Sequence, residues 1–262
     1  MFVRSPNTSE VSVTAADSIR ALVVVPTYNE RENIRPLCRR ILEQGRALEV
    51  LVVDDNSPDG TAGEVRQISA ESHRVHLLER RGKLGLGTAY IAGFHWALER
   101  GYDRVIQMDA DFSHPPERLP AMLEQSRRCE VVLGSRYVPG GGWERWPRRR
   151  LIFSATANWL TRNLLGLPAR DCTAGFRCFH ASALRQIPLE NVRARGYAFQ
   201  EEMLWQCTGR GWRICEVPIT FRQRRRGRSK ISLSEVLGAL RVLVRLLFTP
   251  EGQKRKRDTT ES

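Results

Sequence analysis

The chain has 262 residues, of which 41% are hydrophobic and 27% are charged. This composition excludes a low-complexity or fully disordered chain, and the length allows one large domain or two small ones. The net charge of +13 is unevenly placed: residues 1–130 carry 17 Lys/Arg and 19 Asp/Glu, a net of −2, whereas residues 131–262 carry 25 and 10, a net of +15. We therefore expect the second half to face an anionic partner such as nucleic acid, anionic lipid or a phosphorylated substrate.

The N-terminal residues, the lengths of the apolar runs and the cysteine spacing argue against a signal peptide, a membrane-spanning helix, a disulfide framework and a zinc site. Residues 1–20 are polar and lack an apolar core segment, which predicts a disordered tail rather than a signal peptide. No run of about 20 apolar residues occurs, so no ordinary membrane-spanning helix is predicted. The six cysteines include no C-x-x-C pair, which predicts neither a disulfide framework nor a zinc site and suits a reducing cytosol.

Apolar runs alternate with helical patterns through the first half of the chain. The predicted strands are 21–26, 49–55, 75–79, 103–108 and 130–136, and the predicted helices are 30–44, from 61 onward, 88–99 and 115–128. Because each strand is apolar throughout, the pattern predicts an α/β fold with a mostly parallel central sheet and helices on both faces.

Polar side chains follow four of these strands. They are Thr27-Tyr28-Asn29-Glu30, Asp54-Asp55, Asp109-Asp111 and Ser135-Arg136. In parallel sheets, ligands bind beyond the carboxyl ends of the strands. We therefore expect these residues to converge on one crevice.

The pair Asp109 and Asp111 stands one residue apart directly after a predicted strand. Carboxylate oxygens are hard ligands that suit Mg²⁺ or Mn²⁺, which retain water and bridge to substrate phosphates. The alternative is a solvated loop with a helix-capping aspartate. The position after a strand, beside other strand-end acids, favours the metal interpretation.

Two further motifs of the first half allow more than one interpretation. Asp54-Asp55 could bind a ribose hydroxyl or a base edge, but 54–60 is also favourable turn sequence, and both can hold together. The glycines of 82–88 match neither the Walker order nor the dinucleotide fingerprint, so they predict a flexible entry to a helix.

The second half carries a basic run and a basic amphipathic segment. Residues 222–230 could form a solvated loop, a nucleic-acid patch or a loop that closes over a diphosphate; the absence of aromatic residues weakens the nucleic-acid interpretation. Residues 234–248 could pack on the core, on a partner or in a membrane interface. The basic sequence at 254–257 favours contact with anionic lipid.

Together these motifs resemble glycosyltransferase family 2, and within it the dolichol-phosphate or polyprenol-phosphate mannose synthases of the bacterial type without transmembrane segments. The matching stretches are VVVPTYNERENI, VVDDNSPDGTA, KLGLGTAYIAGF, MDADFSHPPE, GSRYVPGGG, RDCTAGFRCF, GYAFQEEM, EVPITF and RGRSK. They cover about residues 21–235. Asn56 stands where glycine is usual in that family.

The resemblance implies a GT-A fold, Mg²⁺ or Mn²⁺, a GDP-mannose donor and a polyprenyl phosphate acceptor. It assigns nucleotide contacts to Pro26, Tyr28, Glu30, Val53 and Asp55. It assigns metal and donor contacts to Asp109, Ala110 and Asp111, with an added oxygen from Ser113. It assigns phosphate contacts to Arg136, Arg224 and Lys230, and the acceptor side to Ser135, Glu202, Arg224 and Ser229. Catalysis would depend on Asp111, Arg136 and Arg224.

The same resemblance implies an inverting reaction that gives a β-mannosyl phosphate, without a protein base because the acceptor is already an anion. Together with the sequence patterns, it predicts a disordered tail (1–20), a catalytic domain (21–231), an amphipathic helix (232–249) and a basic disordered tail (250–262). The protein would lie on the cytoplasmic face of the membrane, with room for a separate membrane protein partner. The alternatives are a family 2 transferase that uses UDP-glucose or a hydroxyl acceptor, and a basic nucleic-acid-binding protein. The acidic strand ends argue against nucleic acid.

Overall fold

The computed structural model describes residues 19–144, 146–194, 196, 198–222 and 233–249. The strands are β1 (Ala21–Thr27), β2 (Leu48–Asp54), β3 (Val75–Glu79), β4 (Arg104–Gln107), β5 (Val131–Ser135), β6 (Gly142–Trp143), β7 (Arg177–His180), β8 (Ile214–Pro218) and β9 (Thr220–Phe221). The α-helices are α1 (Arg31–Leu42), α2 (Thr61–Glu71), α3 (Leu86–Glu99), α4 (Leu119–Gln125), α5 (Arg148–Leu165), α6 (Ala181–Leu184), α7 (Ala198–Gly209) and α8 (Leu233–Leu247).

Seven strands form the central sheet in the order β3-β2-β1-β4-β7-β5-β8. Neighbouring strands are parallel except that β7 runs antiparallel to both β4 and β5. Strands β6 and β9 form a separate two-stranded parallel sheet. The prediction of a mostly parallel sheet is confirmed.

Helices cover both faces of the sheet, which explains why the strands are apolar at every position. Along β1, Leu22 and Val24 belong to the hydrophobic cluster that includes α3 and α7, whereas Val23 and Val25 belong to the cluster that includes α1 and α2. Successive side chains of a strand point to opposite faces, so a strand between two helical layers has no polar face. The two helical layers hold the strands in place, and with them the loops that follow the strand ends.

Several boundaries differ from those predicted. The helix expected over 115–128 is a 3₁₀ turn (Pro116–Arg118) followed by α4, which ends at Gln125. Pro120 near the start of α4 lacks a backbone N–H, so the two segments meet there instead of forming one helix. At the other end of the chain, α8 lies where an amphipathic helix was expected. Among the described residues, none of the helices combines the length and apolar character that crossing a bilayer requires.

The cysteines differ from the sequence expectation in one respect. No disulfide framework was predicted, yet the structure joins Cys129 to Cys215 in a disulfide. Cys129 lies just before β5, and Cys215 lies in the neighbouring parallel strand β8, so their Cα atoms are 5.9 Å apart. The two residues are 86 positions apart in the chain, and no spacing rule could have paired them.

Candidate active site

The carboxyl ends of β1, β2, β4 and β5 lie at one edge of the sheet, because these strands run in the same direction. The polar residues after them therefore come together, as the sequence predicted. Asp55 N donates to Thr27 O (3.1 Å), and Met108 N donates to Val24 O (3.1 Å), so the strand ends are directly joined. This edge is the candidate active site.

Asp54 closes the turn after β2. Its Oδ1 accepts hydrogen bonds from Thr27 Oγ1 (2.8 Å) and Ser57 Oγ (2.6 Å), and its Oδ2 accepts one from Ser57 N (2.9 Å). Asn56 in the same turn has a φ of 57°, in the left-handed region that asparagine tolerates better than most residues. The turn interpretation therefore applies to Asp54.

Asp55 is paired with a residue that the sequence analysis did not single out. Arg80 Nε lies 2.7 Å from Asp55 Oδ1, and both side chains are nearly buried. Burial raises the pKa of Asp55 above its ordinary value, although the charge of Arg80 opposes the shift. Arg80 also donates from Nη1 to Thr88 Oγ1 (3.0 Å) in α3. The sequence does hold a signal for this contact, since Arg80 is a basic residue directly after β3, at the same edge of the sheet.

The other residues expected at the nucleotide lie at this edge in different settings. Lys83 Nζ is 4.6 Å from the centroid of the Tyr28 ring, whose residue is 38% exposed. Pro26 and Glu30 are half-buried. Val53 is buried in the core cluster of α3 and α7, so its side chain faces away from any ligand and only its backbone remains for contact.

Asp109 is held by groups from both faces of the sheet. Tyr90 Oη donates to Asp109 Oδ1 (3.1 Å), and burial, followed by the charge of Asp109, raises the pKa of Tyr90 well above its ordinary value. Asp109 N donates to Nδ1 of His114 (3.1 Å), whose buried ring stacks on Phe176. Because Nδ1 accepts a hydrogen bond, it carries no proton. These contacts give His114 a positioning role in the loop.

The loop after Asp109 is tight and strained. Ser113 N donates to Asp111 Oδ1 (2.9 Å), and both residues are buried. Phe112 between them has a φ of 63°, which is unfavourable for an aromatic residue and marks stored strain. Ser113 Oγ is buried and has no hydrogen-bond partner among the described residues. An oxygen in that state beside two carboxylates is suited to bind a further group.

The oxygen atoms of Asp109, Asp111 and Ser113 fit a hard divalent cation such as Mg²⁺ or Mn²⁺. Ala110 between the two aspartates is buried in the core and fixes their spacing. In the part of the chain that the structure describes, no group of three or more His, Cys, Asp or Glu side chains could hold a metal ion. A cation here would therefore need oxygen atoms from a substrate or from water, which is the usual condition of Mg²⁺ bound with phosphates.

Arg136, expected at a substrate phosphate, is bound inside the protein. Its Nε and Nη2 each donate to the Asp171 carboxylate at 2.7 Å, its backbone N donates to the same group (3.0 Å), and Nη2 donates to Thr173 Oγ1 (2.6 Å). Burial would raise the pKa of Asp171, but Arg136 outweighs it and holds that pKa below its ordinary value. Nη1 is the part of the guanidinium outside these contacts, so a phosphate contact stays a prediction. Ser135 is fully buried, and its Oγ accepts from Tyr137 N (3.3 Å).

Glu202, expected on the acceptor side, links three parts of the chain. Its Oε2 accepts hydrogen bonds from Arg193 N (3.2 Å) and Ala194 N (2.8 Å), and its Oε1 pairs with the Arg245 guanidinium of α8. The loop it holds lies against the start of α3, where a Cβ on Gly87 would be 2.5 Å from Ala194 O. Glu202 therefore connects α8 to the loop that packs on the nucleotide side.

A buried polar group in the layer of α3 and α7 was not anticipated. Arg177 is fully buried opposite Gln107 in the β4–β7 register and donates to three backbone carbonyl groups at 2.6–2.9 Å. Side-chain atoms of Gln107, Gln200 and Glu201 are buried without a hydrogen-bond partner among the described residues. Burial raises the pKa of Glu201 to about 7, although Arg177 opposes the shift. The sequence signal for this buried polar group was a glutamine in β4 and an arginine in β7, both beside apolar residues.

Three of the expected site residues are not placed. Arg224, Ser229 and Lys230 lie outside the described residues, as do the other residues of 223–232. Arg222, the first residue of the basic run, is described, and its backbone N donates to Ser113 O (3.3 Å). The basic run therefore begins beside the loop that carries Asp111.

Comparison with known proteins identifies relatives over almost the whole chain. The profile of glycosyl transferase family 2 matches residues 22–193. Polyprenol monophosphomannose synthase from Mycolicibacterium smegmatis is 43% identical over 239 residues, which are 90% of this chain and 90% of that protein. Undecaprenyl-phosphate mannosyltransferase from Micrococcus luteus is 47% identical over 214 residues, which are 82% and 88% of the two chains.

Among solved structures, the fold is similar to glucosyl-3-phosphoglycerate synthase from Mycobacterium tuberculosis in complex with Mn²⁺, UDP and glucosyl-3-phosphoglycerate. The TM-score is 0.63 at 18% identity, and the match covers 94% of this chain and 85% of that one. At this identity the likeness concerns the fold alone, which is the GT-A fold that was predicted. With the family profile over residues 22–193 and two relatives above 40% identity, the chain belongs to glycosyltransferase family 2.

Proposed function

We propose that this protein transfers mannose from GDP-mannose to a polyprenyl monophosphate, giving polyprenyl β-mannosyl phosphate and GDP. The observation that carries the proposal is the pair of relatives at 43% and 47% identity, both named for mannosyl transfer to a polyprenyl phosphate and both aligned over most of the chain. The carboxylates of Asp55, Asp109 and Asp111, which lie at one sheet edge with Arg80, support this proposal.

The donor nucleotide would lie along the ends of β1 and β2. Tyr28 offers an aromatic face with Lys83 above it, so a planar base and a nearby phosphate could both be bound there. Asp55 would accept from ribose or base donors, and Arg80 holds its carboxylate in place. Pro26, Val53 and Glu30 would line the same pocket.

Asp109, Asp111 and Ser113 would hold Mg²⁺ or Mn²⁺ against the donor diphosphate. The ion would stabilise the negative charge that builds on the departing GDP. Tyr90 fixes one oxygen of Asp109, and Ser113 N fixes one oxygen of Asp111, so both carboxylates are oriented before a ligand arrives. The chain's own contribution is therefore a preorganised pair of acids.

The acceptor side would be basic. A lipid monophosphate has a second pKa of about 6, so its attacking oxygen is already charged near neutral pH and needs no protein base. Attack from the face opposite the leaving diphosphate would invert the α-mannosyl donor. Arg136, Arg224 and Lys230 would neutralise the anionic acceptor beside an anionic donor, and Ser135, Ser229 and Glu202 would orient it.

One observation favours a second candidate, transfer to a hydroxyl acceptor. Glu201 is a buried carboxyl with a pKa of about 7, which suits a general base that a hydroxyl acceptor would require. The relatives favour the phosphate acceptor, and the test below separates the two. Nucleic acid is not proposed as a partner, because acids line the sheet edge.

The protein would act at the cytoplasmic face of a membrane, where its lipid acceptor resides. Helix α8 and the basic residues at 254–257 would favour an anionic surface, in an organisation of catalytic domain (21–231), amphipathic helix (232–249) and basic tail (250–262). A separate membrane protein could add to this attachment.

The test is product analysis with purified protein, polyprenyl phosphate, a polyprenol that carries a free hydroxyl, and labelled donors. GDP-mannose should label a mild-acid-labile lipid, and UDP-glucose should label little of it. Equal labelling from UDP-glucose would disprove the mannose assignment. Labelling of a hydroxyl-bearing lipid, with none on the phosphate, would favour the second candidate.

A further inference from the structure

Helix α5 buries polar residues and exposes apolar ones, which is the reverse of an ordinary surface helix. Its buried positions include the polar residues Asn158 and Thr161, whereas Trp159 is 63% exposed and Ile152 is 67% exposed. Asn158 binds the core with its amide, donating from Nδ2 to Arg170 O (2.6 Å) and accepting at Oδ1 from Cys172 N (2.8 Å). A helix that faces water normally shows the opposite pattern, so the outer side of α5 is built to meet something apolar.

The exposed apolar residues of α5 form one stripe. Ile152 and Trp159 are seven residues apart, as are Phe153 and Leu160, and seven residues are about two turns of an α-helix. Phe153 is 51% and Leu160 is 38% exposed. The four side chains therefore project from one side of the helix.

Helix α8 packs beside α5 and exposes apolar residues of its own. Leu240, Val244 and Phe248 follow one another at intervals of four residues, and they are 48%, 45% and 73% exposed. The two helices and Phe248, the residue directly after α8, hold seven of the nine large apolar side chains that are exposed in the described part of the chain. We call the seven residues Ile152, Phe153, Trp159, Leu160, Leu240, Val244 and Phe248 the two-helix surface.

The orientation of α8 is fixed by the opposite side of the helix. Leu243 and Leu246 are buried in the core cluster, and Arg245 pairs with the buried Glu202. Successive residues of an α-helix are turned by about 100° from one another. With Leu243, Arg245 and Leu246 turned toward the protein, Val244 is left on the outer side of the helix. The outward apolar residues are thus a fixed feature of the fold.

The surroundings of the two-helix surface are basic. Arg148, Arg149 and Arg162 of α5 are exposed, and so is Arg241 of α8. The sequence of α5 contains no acidic residue at all. An apolar centre with a basic rim, including one exposed tryptophan, matches the interface of a bilayer that contains anionic lipid.

We propose that α5 and α8 jointly insert the two-helix surface into the interface of an anionic membrane, with α5 contributing as much as the C-terminal helix. The surface lies behind the site: Asn158 holds both neighbours of Asp171, the residue that binds Arg136. Helix α5 thus joins this surface on its outer side to the buried Arg136–Asp171 pair on its inner side. The proposal extends the proposed function, but it rests on the surface alone and is tested without donor or acceptor.

The first experiment measures sedimentation of the full chain with vesicles of phosphatidylglycerol and phosphatidylcholine. The double variant Phe153→Ser/Trp159→Ser should partition about tenfold less, since two aromatic side chains no longer enter the interface. Val244→Ser/Phe248→Ser should lose a similar factor. Leu84→Ser is the matched control, because Leu84 is 55% exposed on a different part of the protein, and it should bind within about twofold of wild type. Circular dichroism verifies the fold of each variant.

The second experiment locates Trp159. Vesicles with brominated acyl chains should quench the tryptophan fluorescence of wild type, and Trp159→Phe should bind normally while losing much of that quenching. Trp96→Phe, on α3, should keep it. Equal vesicle binding by wild type and the α5 double variant would overturn the proposal. So would a lipid-free dimer that Phe153→Ser/Trp159→Ser dissociates, which would make the surface an interface between two copies. Mannosyl transfer by wild type in detergent tests the proposed function separately.

Discussion

The regions before and after β5 use their apolar residues in opposite ways. From β1 to β5, apolar side chains enter the two layers of the core and polar ones stand at the strand ends, with a charge balance near zero. From α5 to α8, a helix buries Asn158 and exposes Trp159 in a region of strong positive charge. In the first region the apolar pattern marks the core, whereas in the second region part of it lies on the surface, where we propose that it meets a membrane.

The largest effect should come from breaking the polar edge of the first region. Asp111→Asn should lower kcat about a thousandfold or more, because the donor diphosphate would lose the charge that holds its metal. The amide can still accept from Ser113 N, so the melting temperature should change little. Steady-state rates and thermal unfolding of the same samples measure both. Asp111→Ala should be at least as damaging.

Glu124→Gln is the matched control, since Glu124 is an exposed carboxylate that pairs with Arg127 on the protein surface. It should leave the rate unchanged. EDTA should inhibit the wild type, and Mg²⁺ or Mn²⁺ should restore it. Full activity in EDTA would refute the metal role and leave the strand-end acids without a chemical use.

The second region is tested by Asp171→Asn, which removes the charge partner of Arg136. Breaking a buried ion pair on one side typically costs about 3–5 kcal/mol of unfolding free energy, because the remaining charge stays buried. Since the pKa of Asp171 is lowered in the fold, its contribution is present above its unfolded pKa and is lost as the pH falls through the folded value. Urea unfolding at pH 7 and at pH 3 measures this dependence.

The surface pair Arg213–Glu130 supplies the comparison for that experiment. Its side chains are 69% and 29% exposed, so Glu130→Gln should cost less than about 1 kcal/mol. A similar loss in the two variants would mean that the Arg136–Asp171 pair contributes no more than a solvated one. The second region would then lack the rigid basic group that the proposal assigns to it.

The sequence predicted the first region well for a physical reason. A strand between two helical layers must be apolar throughout, so β1, β2 and β5 were evident, and their polar ends marked the site. Arg80 and the Arg136–Asp171 pair could not be predicted from spacing, because each joins residues distant in the chain. The disulfide between Cys129 and Cys215 was not predicted for the same reason.

The second region was harder to predict, because some of its apolar residues lie on the surface instead of in the core. Helix α5 carries apolar residues on its outer face and amide contacts on its inner face, so periodicity alone would place the wrong side in the core. The 15-residue helix α8 was recognised, since Arg241 and Arg245 form a narrow polar stripe on an otherwise apolar segment. Its attachment through Arg245 to Glu202 required the fold.

A smaller effect is expected from Glu201, which is buried in α7 of the second region. Its folded pKa of about 7 exceeds the ordinary value of 4.5, so the fold holds a proton that the unfolded chain releases. Wild-type stability should therefore fall as the pH rises from 4.5 to 7. Glu201→Gln should flatten this fall and be more stable by about 2–3 kcal/mol at pH 8. Urea midpoints from pH 5 to 8 decide it, and an unchanged slope would contradict the shift.

The smallest effect concerns the connection between the two regions, Glu202 with Arg245. Glu202→Gln keeps an oxygen that can accept from Ala194 N but loses the charge that binds Arg245. We expect KM for polyprenyl phosphate to rise about tenfold while kcat stays within about threefold, because no proton transfer is lost. Arg245→Gln should behave alike, and the double variant should be no worse than either, whereas Arg39→Gln, at an exposed arginine of α1 outside the two-helix surface, should differ little from wild type. The measurement is kcat and KM from pH 6 to 9. A thousandfold loss of kcat in Glu202→Gln, with KM unchanged and one limb of the pH profile removed, would instead make Glu202 a base. Transfer would then go to a hydroxyl group, and the basic second region would need another explanation than an anionic acceptor.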